Sequence, residues 1–332
     1  MKAATAPLFN AIADGPPKAH GYWLTTKDNL RIRVGHWPSD AAHGTIFLCP
    51  GRTEYIEKYG KSARRLVENG FDVLAIDWRG QGLSERLHKD TLLGHVSEFS
   101  KYQIDLDTVM DWAESAKLPG PWFILGHSMG GCISLRALHK HERFLAAAFT
   151  GPMWGINVVT LTQSAAWLIA KTGTLIGLGT LYTPSTKAES YCATADFEGN
   201  TLTNDRAMWE YMRQQLIEHP ELQLGGPSLR WFHRALRETR QLARLPSPKQ
   251  PCLCFLGSNE QVVDVERIKN RMAAWANGEL VIIEPGEHEV LMEAPKVYNS
   301  ILDRICTHFD THQSKTMLSR DDAESKGENR QT

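Results

Sequence analysis

Trp122-Phe-Ile-Leu-Gly-His-Ser-Met-Gly-Gly131, continued by Cys132-Ile-Ser-Leu-Arg-Ala-Leu138, is the stretch that decides how the chain folds. A short apolar run, Phe123 to Leu125, ends in Gly126-His127-Ser128-Met129-Gly130, and helix-forming residues follow at once. That pattern is a strand, a sharp turn and a helix, with a serine at the apex of the turn. Such a turn strains the backbone at Ser128, and a side chain at either flanking position would collide with a neighbouring strand or helix. Gly126 and Gly130 relieve that crowding. The Ser128 hydroxyl is thereby held out above the strand end, with the start of a helix behind it.

Working outward, the chain alternates strand and helix. Thr45 to Cys49 reads as a buried strand ended by Pro50-Gly51, Ser62 to Asn69 as a helix stopped by Gly70, and Phe71 to Ile76 as the next strand. Tyr102 to Ala116 carries Ile104, Leu106, Val109, Met110 and Trp112 near helical period, and Leu145 to Phe149 is again a strand. Alternation of this kind from 45 to 150 predicts an α/β fold with a mostly parallel central sheet and helices on both faces. Ahead of it, Tyr22 to Leu24 and Leu30 to Val34 are strands around the polar turn Lys27-Asp28-Asn29.

The pattern changes after 150. No strand-like run appears between about 151 and 245, whereas Ala207 to Glu218 and a second segment opening at Pro227 read as helices. Alternation resumes with Pro251 to Leu256 (strand), Val265 to Ala276 (helix), Glu279 to Ile283 (strand) and Val297 to Thr311 (helix). The expected organisation is a loosely held lead-in (1–20), the first part of the α/β core (21–150), an inserted helical cap (151–245), the second part of the core (246–312) and a polar, disordered tail (313–332).

Composition narrows the class. The 332 residues are 42% hydrophobic with a net charge of -1, enough for a sizeable core and without the basic excess that holds nucleic acid. None of the six cysteines has zinc-ligand spacing, so buried free thiols in a reducing compartment are expected. The N-terminal apolar run is broken by Asn10, Asp14 and Pro16-Pro17 before a signal-peptide core forms. The longest apolar stretch, Ala165 to Leu181, contains Lys171, three glycines and three threonines, which argues against a membrane span. The expectation is a cytoplasmic protein that meets a membrane peripherally, if at all.

A serine hydroxyl needs a base to take its proton, and the base needs an acid to hold its tautomer. After an elbow of this kind the acid and then the base follow in the chain, each just past a strand end. His288, in Glu284-Pro-Gly-Glu-His288-Glu-Val-Leu291, lies directly beyond the last strand, and no other of the 13 histidines does. The candidate acid is Glu260, in the turn Gly257-Ser-Asn-Glu260, with Asp264 as the alternative; Asp264 also suits the N-cap of the following helix. The oxyanion of an acyl-transfer intermediate would be met by the main-chain N–H of Met129 and, because Pro50 has none to give, that of Arg52.

Several features carry two readings. Asp77-Trp-Arg-Gly-Gln-Gly lacks the Walker lysine and dinucleotide spacing, and reads as a structural loop near the elbow. His127 reads as a packing residue rather than a base. Arg230, Arg234, Arg237, Arg240 and Arg244 form either a solvated helix face or an anionic-lipid surface. Thr160 to Leu181 reads as a lid over an acyl pocket or a membrane-touching segment, and otherwise as packing on the core.

Gly126-His-Ser-Met-Gly-Gly131, the loop Pro50-Gly51-Arg-Thr-Glu-Tyr-Ile-Glu-Lys-Tyr59, Asp77-Trp-Arg-Gly-Gln-Gly-Leu-Ser84 and Gly286-Glu-His288-Glu-Val-Leu291 together resemble the bacterial lysophospholipases. These are close relatives of the monoacylglycerol lipases and of the serine aminopeptidase-type α/β-hydrolases, and the similarity covers roughly residues 20–312. The resemblance implies an α/β-hydrolase core with a helical cap after the sixth strand, without metal or cofactor. It implies Ser128 as nucleophile, His288 as base, an acid in the Glu260 region, and Met129 and Arg52 as main-chain donors. Glu260 stands where many relatives carry Asp, which keeps Asp264 in play. The expected activity is hydrolysis of a single-chain lipid ester through an acyl-enzyme, first of all a lysophospholipid. Alternatives are a monoacylglycerol lipase or short-chain carboxylesterase, an aminopeptidase-like amidase, and a non-catalytic lipid-binding protein on the same fold.

Overall fold

Nine strands make one sheet among the residues that the computed structural model describes, namely 3–157, 171–184 and 186–328. They are β1 (Ala4–Ala6), β2 (His20–Thr25), β3 (Arg31–Trp37), β4 (Thr45–Cys49), β5 (Asp72–Asp77), β6 (Trp122–His127), β7 (Phe144–Thr150), β8 (Cys252–Gly257) and β9 (Gly278–Ile283). Their order is β1-β2-β3-β5-β4-β6-β7-β8-β9. β1, β2, β3 and β5 pair antiparallel in turn, and the ladder from β5 through β4 to β9 is parallel. The helices used below are α1 (Asn10–Ala13), α2 (Gly60–Glu68), α3 (Lys101–Ser115), α4 (Ser128–Lys140), α5 (Tyr191–Thr194), α6 (Arg206–Glu218), α7 (Leu229–Leu242), α8 (Val265–Ala273) and α9 (Pro295–Glu328).

Both faces of the sheet are covered, which is why its central strands are apolar without interruption. Ile46, Leu48, Val73, Ala75, Phe123 and Leu125 pack with Leu66 of α2 and Ile301, Leu302, Ile305 and Phe309 of α9. Their strand neighbours Phe47, Cys49, Leu74, Ile76 and Ile124 pack on the other face with Leu106 and Val109 of α3 and Ile133 of α4. β4 connects onward to β5 on one side, while its other neighbour β6 connects onward to β7, so the connections from these two adjacent strands run in opposite directions. At such a switch point a crevice opens beyond the carboxyl ends of the strands, the usual ligand position in an open α/β sheet.

Residues 151–245 fall between β7 and β8 and hold α5, α6 and α7, with no strand among the described residues of that segment. The segment follows the sixth strand when the short edge strand β1 is left out of the count. The described part of the expected lid begins at 171, since 158–170 lie outside the described residues. All six cysteines are free, and all but half-buried Cys192 are buried. Among the described residues no helix is long and apolar enough to cross a membrane.

Three expectations are corrected. The lead-in is not loosely held: β1 pairs with β2, Ala13 is fully buried, and the Pro7 carbonyl accepts from Arg33. Three residues of small side chain gave too little periodicity to be read as a strand. Residues 313–328 of the expected tail are helical instead: α9 runs on through Glu328, because no proline and no glycine before Gly327 interrupts it, and 329–332 lie outside the described residues. Pro227 does not open α7. Ser228 is its N-cap, with Oγ accepting from the Trp231 N–H at 3.1 Å. Of the arginines on that helix, Arg234 is tied to Glu98 at 2.6 Å and to the Ser97 carbonyl, so this part of the face is bound to the core.

Candidate active site

Ser128 sits where β6 becomes α4, with φ +46°, in the left-handed region that a residue bearing a side chain occupies only under strain of about 1–3 kcal/mol. The glycines beside it make that turn possible. A Cβ at Gly130 would lie 1.9 Å from the Cys49 carbonyl oxygen, and one at Gly126 would lie 2.9 Å from Gly131 Cα. The elbow is thus pressed against the end of β4, whose following loop carries Arg52.

The loops after β8 and β9 carry the candidate acid and the candidate base. Gly257 ends β8 against the next loop, where a Cβ would stand 2.2 Å from the Glu287 carbonyl. Three residues on, Glu260 Oε2 lies 2.7 Å from His288 Nδ1, and Oε1 accepts from the N–H groups of Val262 (2.6 Å) and Val263 (3.1 Å). Burial alone would raise the Glu260 carboxyl. The His288 charge and hydrogen bond and the two N–H donors outweigh it and hold the group below the ordinary glutamate value. With Nδ1 engaged, Nε2 is the ring nitrogen left to accept a proton. Asp264, the alternative acid, is elsewhere: it caps α8, accepting from the Arg267 N–H at 3.1 Å and facing the Arg267 guanidinium at 3.4 Å.

Met129 lies in the first turn of α4, whose N–H groups have no intrahelical acceptor and sit at the positive end of the helix dipole. The loop bearing Arg52 is fastened from several directions. Trp78 Nε1 donates to the Pro50 carbonyl (2.9 Å), Gln81 Nε2 to the Gly51 carbonyl (2.8 Å), and the Gly51 N–H to Glu54. This is what the Asp77-Trp-Arg-Gly-Gln-Gly stretch does. Its Asp77 closes a buried pair with Arg33 (2.7 Å) and accepts from Ile56 and Leu83 N–H, so the loop is structural.

One group of residues escaped the sequence reading. Beneath these loops Lys58 Nζ lies 2.6 Å from Glu54 and 2.7 Å from Glu289, and His127 Nε2 lies 3.2 Å from Glu289. All four are buried. Burial opposes charge on His127, but Glu289 and Glu54 prevail and raise its pKa. Glu54, His127 and Glu289 come close enough to hold a metal ion, yet Lys58 already puts an ammonium between the two carboxylates. The cluster joins the Arg52 loop, the residue before Ser128 and the residue after His288. Removing one partner of such a buried pair typically costs about 3–5 kcal/mol. The available signal was slight: Glu54 and Lys58 at helical spacing, and Glu289 next to His288.

Ser128 and His288 open into one cavity of about 830 Å³, within the range of pockets that enclose small ligands. Arg52, Thr53, Lys58 and Glu289 line it from the core. Thr183, Ser190, Met212, Leu216, Leu229, Trp231 and Phe232 line it from the segment between β7 and β8, with Met153, Ile156, Val262 and Val263 between them. The wall is mostly apolar. A site so built offers a hydroxyl, a proton acceptor, main-chain N–H groups and room for an apolar chain.

Residues 40–295 match the family described as serine aminopeptidase, S33. Lysophospholipase L2 of Escherichia coli (strain K12) is 31% identical over 312 residues, covering 88% of this chain and 87% of that protein. The probable lysophospholipase L2 of Haemophilus influenzae is 28% identical over 88% of this chain and 92% of its own. Among solved structures, a soluble variant of monoglyceride lipase from Saccharomyces cerevisiae aligns with a TM-score of 0.69 at 19% identity, covering 90% of this chain and 98% of that one. That likeness bears on the fold. The elbow, the sheet order and the matched length agree: the chain belongs to the serine aminopeptidase (S33) family, has the α/β-hydrolase fold, and is a carboxyl-ester hydrolase.

Proposed function

We propose that the chain hydrolyses the carboxylic ester of a single-chain lipid, first of all a lysophospholipid, with Ser128 as nucleophile, His288 as base and Glu260 as acid. The carrying observation is that Ser128 and the paired His288 share one large, apolar-walled cavity. Ser128 Oγ attacks the ester carbonyl while His288 Nε2 takes its proton, and Glu260 stabilises the imidazolium. The oxyanion is met by the N–H groups of Met129 and Arg52. Collapse expels the glycerol oxygen, which takes the proton from His288. Water, deprotonated by His288, then attacks the acyl-enzyme, releasing the fatty acid and restoring Ser128.

The test is fatty-acid release from lysophosphatidylcholine and from monoacylglycerol of the same chain, side by side. Faster release from the phospholipid is expected. Faster release from monoacylglycerol would favour the neutral-lipid reading, and a rate that falls steadily as simple esters lengthen would favour a short-chain esterase.

We also propose that the enzyme reaches its substrate by peripheral contact with the membrane through residues 175–181. Leu175 and Ile176 are 75% and 65% exposed, with Leu178 and Leu181 exposed beside them. The segment adjoins the cavity: the Leu181 carbonyl accepts from the N–H of Leu229, a lining residue. Burying two such side chains in an interface contributes enough that Leu175→Ser with Ile176→Ser should lower the fraction sedimenting with phosphatidylcholine vesicles about fivefold or more. Equal sedimentation of variant and wild type would remove this contact from the proposal.

A further inference from the structure

The buried cations of this protein are matched with care. Arg33 faces Glu57 and Asp77, Arg79 faces Asp28 and Asp105, and Lys58 faces Glu54 and Glu289. The half-buried Arg86 and Arg271 have no carboxylate but are each bound by several backbone carbonyls. Half-buried Arg52 has neither arrangement. Arg52 lines the cavity, its Nη1 donates to the single carbonyl of Gly225 at 2.8 Å, and its Cζ lies 5.6 Å from the centre of the Trp231 ring. Among the described residues no carboxylate lies within ion-pair distance, and the edge formed by Nε and Nη2 has no protein acceptor.

A guanidinium on a cavity-lining residue, held by one carbonyl and one ring face and with one edge free of protein acceptors, lacks an anion among the described residues. Burial pushes the Arg52 pKa down to about 10, against a smaller upward pull from Tyr102, and the group stays charged at neutral pH. The cavity supplies no other free positive charge among its described lining residues, since Lys58 is committed to Glu54 and Glu289.

We infer that the Arg52 side chain is an anion subsite of this cavity and receives the phosphodiester of a single-chain phospholipid. The inference rests on the single-chain lipid reading above and adds what recognises the headgroup. The reach is right for it. An arginine side chain and the glycerol span from acyl carbonyl to phosphorus are each about 6 Å from bond lengths, so one residue meets the carbonyl through its N–H and the phosphate through its guanidinium. The open Nε–Nη2 edge presents two parallel donors, the geometry that suits two phosphate oxygens. A monoacylglycerol offers a neutral hydroxyl there and leaves the charge unmatched.

The experiment measures inhibition rather than turnover of lipid. Hydrolysis of a p-nitrophenyl ester is competed by dodecylphosphocholine below its micelle concentration, and separately by 1-O-dodecylglycerol, in wild type, Arg52→Gln and Arg52→Lys. Losing a charge-assisted hydrogen bond pair should raise the inhibition constant of the phosphodiester about 10–100-fold in Arg52→Gln. The rise should be smaller in Arg52→Lys and much smaller for the neutral ether in either variant. Damage to the loop would weaken both inhibitors alike, so equal rises, or no rise, overturn the inference. Inorganic phosphate should not compete; competition by it that is lost in Arg52→Gln would make this a free-phosphate site and overturn the headgroup assignment. The readout is independent of the substrate proposal. Arg52-dependent inhibition without fatty-acid release from lysophosphatidylcholine would end the lysophospholipase reading and leave the subsite standing.

Discussion

Ser128→Ala is expected to lower kcat for ester hydrolysis on the order of 10⁴–10⁶-fold while leaving the fold intact. The proposed reaction has no second nucleophile at the elbow: His127 is turned into the buried cluster with Glu289, and its Nδ1 lies 2.9 Å from the Thr150 carbonyl. Alanine keeps the same backbone penalty at φ +46°, so the strain that serine tolerates is unchanged. The main-chain donors at Met129 and Arg52 also remain, which is why some acceleration over water should survive. Thermal unfolding should therefore match wild type within a few degrees. The measurement is steady-state hydrolysis of a single-chain ester alongside a melting curve. A variant that melts normally and retains a tenth of the activity would exclude Ser128 as nucleophile.

The elbow was legible because its chemistry is written in small residues. Only glycine fits at 126 and 130 against Gly131 and the Cys49 carbonyl, and such positions survive as letters in the sequence. The parallel core was legible for a similar reason, since strands buried on both faces are apolar throughout. His288 could be placed by its position after β9. The acid could not be settled, because Glu260 and Asp264 both follow β8 and differ only in which way their side chains turn. What stayed hidden was whatever depends on several loops at once. Glu54, Lys58, His127 and Glu289 come from three separate turns and show no shared spacing. Arg52 was read for its main chain alone, because a lone arginine in a loop says nothing about the absence of a carboxylate around it. The edge strand at Ala4–Ala6 was too short to carry a period.

Glu260→Gln should lower kcat about 10³–10⁴-fold, whereas Asp264→Asn should leave it within about threefold of wild type. Glu260 faces donors on both sides. Oε1 accepts from the Val262 and Val263 N–H groups, and Oε2 faces His288 Nδ1. An amide cannot serve both as the carboxylate does. If its oxygen stays on the two valine N–H groups, its NH₂ points at Nδ1 and selects the tautomer with the proton on Nε2, which then cannot take the Ser128 proton. If it flips, the NH₂ meets two N–H donors and a buried donor goes unpaired, at about 1–3 kcal/mol. Asp264 caps α8 through Oδ1, as asparagine also does, and its partly exposed pair with Arg267 contributes little, so neither rate nor stability should move much. The pH dependence separates the two further. Because the Glu260 carboxyl is held below its ordinary value of 4.5, its contribution to stability is present above that pH and is lost as pH falls through the lower folded-state value. Acid unfolding of Glu260→Gln should lack this component, so its stability should fall less steeply below pH 4.5 than that of wild type. The checks are kcat for both variants and chemical denaturation from neutral to acidic pH. A silent Glu260→Gln with an inactive Asp264→Asn would reverse the assignment of the acid.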